Sequence, residues 1–327
     1  MAKKADIIVG VDMGGTSMKA LVVDGKNRIL AVEKIPTDRT RTSRGLIADI
    51  ATLVAKAVRK SAAKRSQFCA VSIGAPGAID PKTGTVRKAP NLGWLNVPLG
   101  RELTKLVRIP VVVNNDVNAG VVGEHAFGAG ERVDDMTGIF VGTGIGGGII
   151  SRGRLFEGSS GAAGEVGHTV LVVDGPLCSC GHHGCAEALA SRTAMERDVR
   201  AAIKKGRKTV IPQIMKQRHK DRMTSSVIHA ALKARDPLMR EVMERAQHYL
   251  GILVANVVNL LDPERVVIGG GLAERMGEEF VQPIRRHAYE YFLRQADTKR
   301  VKIVPGSLGD NAGALGAVVL ARQRLKH

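Results

Sequence analysis

Two glycine-rich turns, each set between apolar runs, constrain this chain most. The first is Asp12-Met13-Gly14-Gly15-Thr16, flanked by Ile7-Ile8-Val9-Gly10-Val11 and Met18-Lys19-Ala20-Leu21-Val22-Val23. The second lies in Phe140-Val141-Gly142-Thr143-Gly144-Ile145-Gly146-Gly147-Gly148-Ile149-Ile150. Short apolar runs bounded by glycine read as buried strands joined by hairpins. Glycine lets backbone N–H groups approach a ligand with no Cβ in the way. A carboxylate at the start of the first turn can hold magnesium through water, and a hydroxyl at its end can touch a phosphate. The pattern occurs near residues 7–23 and again near 136–152. It predicts two related α/β lobes around a cleft that holds a nucleotide.

The second turn also contains G-x-G-x-x-G, a dinucleotide-binding fingerprint when it opens a helix. An acidic residue, Glu165, follows at about the spacing that fingerprint expects. Here, however, Gly146-Gly147-Gly148 runs on into Ile149-Ile150-Ser151-Arg152, which reads as strand. That context argues against a dinucleotide fold.

The chain has 327 residues, enough for about two domains with substantial cores. No apolar run approaches the roughly 20 residues of a membrane span. Residues 1–6 carry no signal-peptide apolar core, so the expected location is the cytoplasm, with no membrane partner. The formal net charge is +18, which suits nucleic acid, a membrane surface or a polyanionic substrate. The cations are spread along the chain, densest from Arg200 to Arg222, and no aromatic residue interleaves with that stretch. A stacking platform for single strands is therefore not expected, and no nucleic-acid partner is inferred.

Three strands are predicted at the start, Ile7 to Asp12, Met18 to Asp24 and Ile29 to Ile35. A helix follows from about Ser43 to Ala63, where Leu46, Ile50, Leu53, Val54, Ala57 and Val58 share one face. Phe68 to Ile73 and Val111 to Val113 read as strands, and Val117 to Phe127 as a helix. Residues 158–184 are loop-rich, and helices dominate from about 191 to 261. Val266 to Ile268 and Val301 to Val304 read as strands, Gln282 to Arg294 as a helix, and the stretch from Asp310 to Arg324 as a last helix. The expected division is a small lobe of residues 1–115 plus 311–327 and a large lobe of residues 116–310.

Asp116 follows an apolar strand at its carboxyl end, where open α/β sheets place ligands. It is the candidate catalytic base, with a helix N-cap as the structural alternative. Cys178, Cys180 and Cys185 fall within eight residues. In a cytoplasmic protein that density favours metal over disulfide. With His168 they make a Cys₃His set suited to tetrahedral zinc; His182 and His183, inside the cysteine loop, are rival ligands. Cys69 lies in a strand pattern and reads as a small buried hydrophobe. Trp94, the only tryptophan, reads as a packing residue.

These segments together resemble the ROK family of repressors and sugar kinases, and within it the bacterial glucokinases. The likeness runs nearly end to end. It rests on Asp12 to Thr16, Gly74-Ala75-Pro76-Gly77, Asn115 to Ala119, Gly142 to Gly148, Gly164-Glu165-Val166-Gly167-His168 and Cys178-Ser179-Cys180-Gly181-His182-His183-Gly184-Cys185. The resemblance implies an actin-like, ribonuclease-H-like ATPase fold and ATP-dependent phosphorylation of a hexose, with Mg2+ and a structural Zn2+. Asp116 would be the base, and Gly74, Asn91, Asn115, Glu165, His168 and Glu187 would line the sugar pocket. Asp12, Gly14, Gly15, Thr16 and Lys19 would serve the nucleotide, together with Gly142, Thr143, Gly144, Gly270 and Gly271. The metal ligands would be His168, Cys178, Cys180 and Cys185, and the assembly a homodimer or homotetramer. Other expectations stay open: a polyphosphate donor, which the charge would suit, another sugar such as N-acetylmannosamine, fructose or allose, and a sugar-responsive repressor. A repressor would carry an N-terminal helix-turn-helix, for which the hairpin beginning by residue 12 leaves no room.

Overall fold

Apolar side chains on both faces of Ile7–Met13 predict a strand covered on both sides, and the computed structural model places it at the centre of a sheet. The structure describes residues 6–38 and 40–325. The chain separates into two units. The first comprises residues 1–131, 155–163 and 310–327; the second comprises 132–154 and 164–309. The division falls after Glu131 rather than at 115, because the helix that follows Asp116 packs along the helix Ala312–Leu325 of the first unit.

In the first unit, β1 (Ile7–Met13), β2 (Ser17–Val23) and β3 (Ile29–Pro36) form an antiparallel meander. β4 (Phe68–Ala75) and β8 (Val111–Asn115) extend it parallel to β1, giving the order β3-β2-β1-β4-β8. One face packs on α1 (Ser43–Lys60) and α2 (Leu99–Val107), whose Leu46, Ile50, Leu53, Leu99 and Leu103 are fully buried with Val9 and Val11. Strand alternation sends Gly10 and Asp12 to the other face. There α3 (Asp116–Phe127) and the helix Ala312–Leu325 approach closely. A Cβ on Gly10 would overlap Ala314 O, one on Gly123 would overlap Ala312 O, and one on Gly316 would overlap Ala119 O. These glycines allow backbone-to-backbone packing of strand and helices.

A further antiparallel sheet of β5 (Ala78–Asp80), β6 (Thr85–Ala89) and β7 (Trp94–Val97) had no counterpart in the sequence expectation. Its strands are short and half-exposed, so they carry little apolar signal. Trp94 is buried in the first core, as expected for a packing residue. α1 ends at Lys60, three residues early, because Ser61 caps it and Ala62 turns to φ 55°.

The second unit repeats the plan. β9 (Met136–Val141) and β10 (Ile145–Ser151) form the hairpin, and β11 (Arg154–Leu155) lies beyond β10. β12 (Arg265–Gly269) and β13 (Lys302–Pro305) run parallel to β9, giving β11-β10-β9-β12-β13. The strand that follows the second glycine turn excludes the dinucleotide fingerprint, which needs a helix there. The core centres on the helix Pro237–Leu261, packed against Glu278–Glu290. The latter starts four residues before the expected Gln282, at Gly277 with φ 53°, and carries Pro283 inside it. No helix among the described residues is long and apolar enough to cross a membrane.

Candidate functional site

In the first unit, the carboxyl ends of the parallel strands line up. Asp12 on β1 pairs with Gly74 on β4, and Gly74 pairs with Asn114 on β8. Asp116 follows at once as the first residue of α3. Gly74 is buried, and a Cβ there would sit 3.2 Å from Asp116 Cα and 3.3 Å from Ala119 Cβ, so glycine lets the helix start rest on the strand end. The capping duty belongs to Asn115, not Asp116: Asn115 Oδ1 accepts Asn118 N at 3.0 Å, and its Nδ2 donates to Gly77 O at 3.1 Å. Asn115 thus keeps one Nδ2 hydrogen and part of its carbonyl for a ligand. Asp116 Oδ1 accepts Val117 N at 2.9 Å, and its carboxylate is half-buried.

Asp12 is largely enclosed by protein. Burial, then the carboxylates of Asp116 and Asp310, push its carboxyl up from 3.8 to about 7, against the pull of Lys19 and Lys34. Lys19 Nζ donates to Asn311 Oδ1 at 2.6 Å, and Lys34 Nζ pairs with Asp310 Oδ2 at 2.6 Å. Glycine at 313 makes room for the Asp12 carboxylate, which would lie 2.7 Å from a Cβ there. The Gly14-Gly15 turn is held by Thr37, whose Oγ1 donates to Gly14 O at 2.7 Å and whose N donates to Thr16 O at 3.0 Å. Thr16 is exposed, and Asn91 is exposed on the short turn Pro90–Leu92. The carboxylates of Asp116 and Asp310 thus bear on Asp12, and Lys34 pairs with that of Asp310.

In the second unit, Gly142 N donates to Gly144 O at 2.9 Å, closing the turn between β9 and β10. Glu187, on α4 (Ala186–Ala190), reaches this turn: its Oε2 accepts Ile145 N at 3.0 Å, and a Cβ on Gly144 would overlap it. Its Oε1 accepts Ser179 Oγ at 2.8 Å. Glu187 is therefore a half-buried tie between hairpin and cysteine loop. Glu165 is exposed, beside the turn Val166–His168. A Cβ on Gly167 would overlap Ile145 O, so this turn lies directly on β10. Gly270, at φ 87°, has no room for a Cβ against Val141 O, and Gly271 opens the short helix that follows β12.

His168, Cys178, Cys180 and Cys185 come together, their ligand atoms all within 4.8 Å of one another. Cys178 Sγ lies 3.6 Å from His168 Nδ1, and Cys180 Sγ lies 3.7 Å from Cys185 Sγ. Tetrahedral zinc with bonds of about 2.3 Å sets ligand–ligand edges of about 3.8 Å, so the donor set and its spacing fit the metal. His182 remains near Cys180, at 3.6 Å from Nδ1, whereas His183 Nδ1 is 2.8 Å from Gly175 O and takes no part. The thiols differ in acidity. The backbone N–H and ring of His182 draw Cys180 down to about 6; burial and the neighbouring thiols push Cys185 up to about 12. Burial also raises Cys178. Cys69 is half-buried rather than buried, its Sγ donating to Ile7 O at 3.4 Å.

Sequence reasoning missed Arg192, the first residue of α5 (Arg192–Lys204). Its Nη2 donates to Thr143 Oγ1 at 2.6 Å, at the tip of the second glycine turn. A lone arginine at a helix start carries no sequence signal; only proximity to the turn reveals it.

Twin units, each a strand–glycine hairpin–strand joined to parallel strands, define a protein of the actin-like ATPase fold. Within that class the chain belongs to the ROK family, whose model matches residues 8–324. It is similar to a glucokinase of Halalkalibacterium halodurans, at 34% identity over 97% of this chain and 95% of the relative. A solved ROK family glucokinase from Streptomyces griseus, in complex with glucose and AMPPNP, superposes with a TM-score of 0.84 at 36% identity, covering 97% of this chain and 99% of that one. A xylose repressor of Caldicellulosiruptor bescii is 33% identical over 97% of this chain and 78% of the repressor.

Proposed function

We propose that this chain is an ATP-dependent hexose kinase that converts glucose to glucose 6-phosphate. The observation that carries the proposal is Asp116: a half-buried carboxylate at the end of β8, relieved of capping by Asn115 and coupled to Asp12. Similarity to glucokinases along nearly the whole chain supports the same reading.

Asp116 accepts the proton of the sugar 6-hydroxyl while that oxygen bonds to the γ-phosphorus; the bond from γ-phosphorus to the bridging oxygen breaks, and ADP leaves. Such transfer depends chiefly on positioning and charge stabilisation, and one placed carboxylate contributes about 10²–10⁴. In the first unit, Asp12 would hold Mg2+ through water, Gly14, Gly15, Thr16 and Lys19 would face the phosphates, and Gly74, Asn91 and Asn115 would line the sugar. In the second unit, Gly142, Thr143, Gly144, Gly270 and Gly271 would serve the nucleotide, and Glu165, His168 and Glu187 the sugar. Magnesium neutralises phosphate charge when bound. Zinc would be held by His168, Cys178, Cys180 and Cys185 and would fix the ring of His168 through Nδ1, leaving Nε2 for substrate. Assembly as a homodimer or homotetramer, in the cytoplasm, belongs to the same proposal.

The test is Asp116→Asn, assayed with glucose and Mg·ATP. It should keep glucose affinity and lose kcat by about 10² or more. A variant retaining over a tenth of wild-type kcat removes Asp116 from the base role. A panel of hexoses, with ATP and polyphosphate as donors, decides substrate: preference for N-acetylmannosamine, fructose, allose or polyphosphate overturns the glucose–ATP assignment.

A further inference from the structure

The start of α5 is fastened to the tip of the second glycine turn by three hydrogen bonds. Arg192 N donates to Gly142 O at 3.0 Å, Thr193 N to Thr143 O at 3.4 Å, and Arg192 Nη2 to Thr143 Oγ1 at 2.6 Å. Helix formation does not account for an arginine here. A cation at the first helical position opposes the helix dipole, and the first turn of α5 holds no acidic residue.

The bond to Thr143 has a chemical consequence. Its hydroxyl oxygen accepts from the guanidinium, so its own proton is left to be donated elsewhere. The turn's backbone is meanwhile partly committed. Gly142 N is used by Gly144 O, and Ile145 N by the Glu187 carboxylate, which also sets a negative charge against Gly144. That carboxylate disfavours a polyanion at the turn. The guanidinium on Thr143 offsets it and supplies planar, charge-assisted donors matched to phosphate oxygens.

We propose that Arg192 binds the terminal phosphates of the nucleotide donor and aims the Thr143 hydroxyl at them. This rests on the second glycine turn being the donor's phosphate site. The experiment measures AMPPNP binding by calorimetry in the presence of Mg2+, alongside KM for ATP and for glucose. A charge-assisted hydrogen bond lost from a phosphate corresponds to about 10–100-fold. Arg192→Ala should therefore weaken AMPPNP binding and raise KM for ATP by about that factor, with KM for glucose unchanged. Arg192→Lys, which keeps the charge and loses the fork, should fall between. Arg192→Gln serves as the neutral variant if the alanine protein does not fold. The double variant with Thr143→Ala should lose less than the sum of the two single changes. If the wild-type chain binds AMPPNP and the neutral Arg192 variant binds it equally well, the assignment of Arg192 fails alone. If the wild-type chain does not bind AMPPNP, the reading of the turn fails and takes the assignment with it.

Discussion

Replacing Asp12 by Asn should stabilise the ligand-free protein while disabling it. The Asp12 carboxyl is pushed from 3.8 to about 7, first by burial and then by Asp116 and Asp310. At about 1.4 kcal/mol per pH unit, holding it ionised at pH 8 costs up to roughly 4 kcal/mol. Some exposure and relaxation reduce this, so the expected gain for Asp12→Asn is about 1–2 kcal/mol, or about 3–6 °C for a unit of this size. The sign depends on pH. Near pH 3 the carboxyl is protonated in both folded and unfolded chains, and the two proteins should melt together. From about pH 4 to 7 the unfolded chain releases the proton and the folded chain keeps it, so the wild type loses stability relative to the variant. Above about pH 7 the gap should be constant. Melting in EDTA, followed by fluorescence of Trp94, the only tryptophan and a member of the first core, reports on the right unit. With glucose and Mg·ATP, the same variant should lose about 10² or more in kcat/KM, since the proposed magnesium site loses its carboxylate. A pH-independent gap, or a variant less stable than wild type at pH 8, would refute an electrostatic cost stored at Asp12.

Two other outcomes are expected. One zinc per chain should copurify, and Cys180→Ala should lose it and raise KM for glucose more than KM for ATP, because the proposed metal and sugar sets share His168; elemental analysis with steady-state kinetics checks this, and metal-free active protein would sink it. Gly316→Ala should destabilise the first unit by about 3 kcal/mol or more, since its Cβ would overlap Ala119 O; denaturant unfolding followed by Trp94 measures it, and a loss under 1 kcal/mol would show that the two helices can separate cheaply.

The hairpins were legible because their signal is local: apolar strands with glycine between them satisfy pattern and turn chemistry together. The cysteine cluster was legible for the same reason, three cysteines lying within eight residues. Contacts across sequence were not. Glu187 reads alone as a solvated helix start, yet its carboxylate lies on Ile145 N, 42 positions away. At Asn115-Asp116 either residue suits a cap by type; the strand's length decides, because β8 runs through Asn115 and leaves Asp116 as the first helical residue. The strands β5 to β7 escaped notice because residues such as Lys88 and Leu95 face solvent, which removes the alternation a half-buried strand shows.

The glycine-mediated seat of the helix Ala312–Leu325 against Gly10 and Gly123 has a consequence for biosynthesis. Translation delivers β1 some 300 residues before the helix that covers it. The second unit draws only on residues 132–154 and 164–309, so all its parts have been made before that helix exists. On the ribosome the unit begun first is thus completed last, and until then the face bearing Gly10 and Asp12 lacks its cover. A nascent chain arrested before residue 312 would expose that face to chaperones and proteases while its second unit is already able to fold.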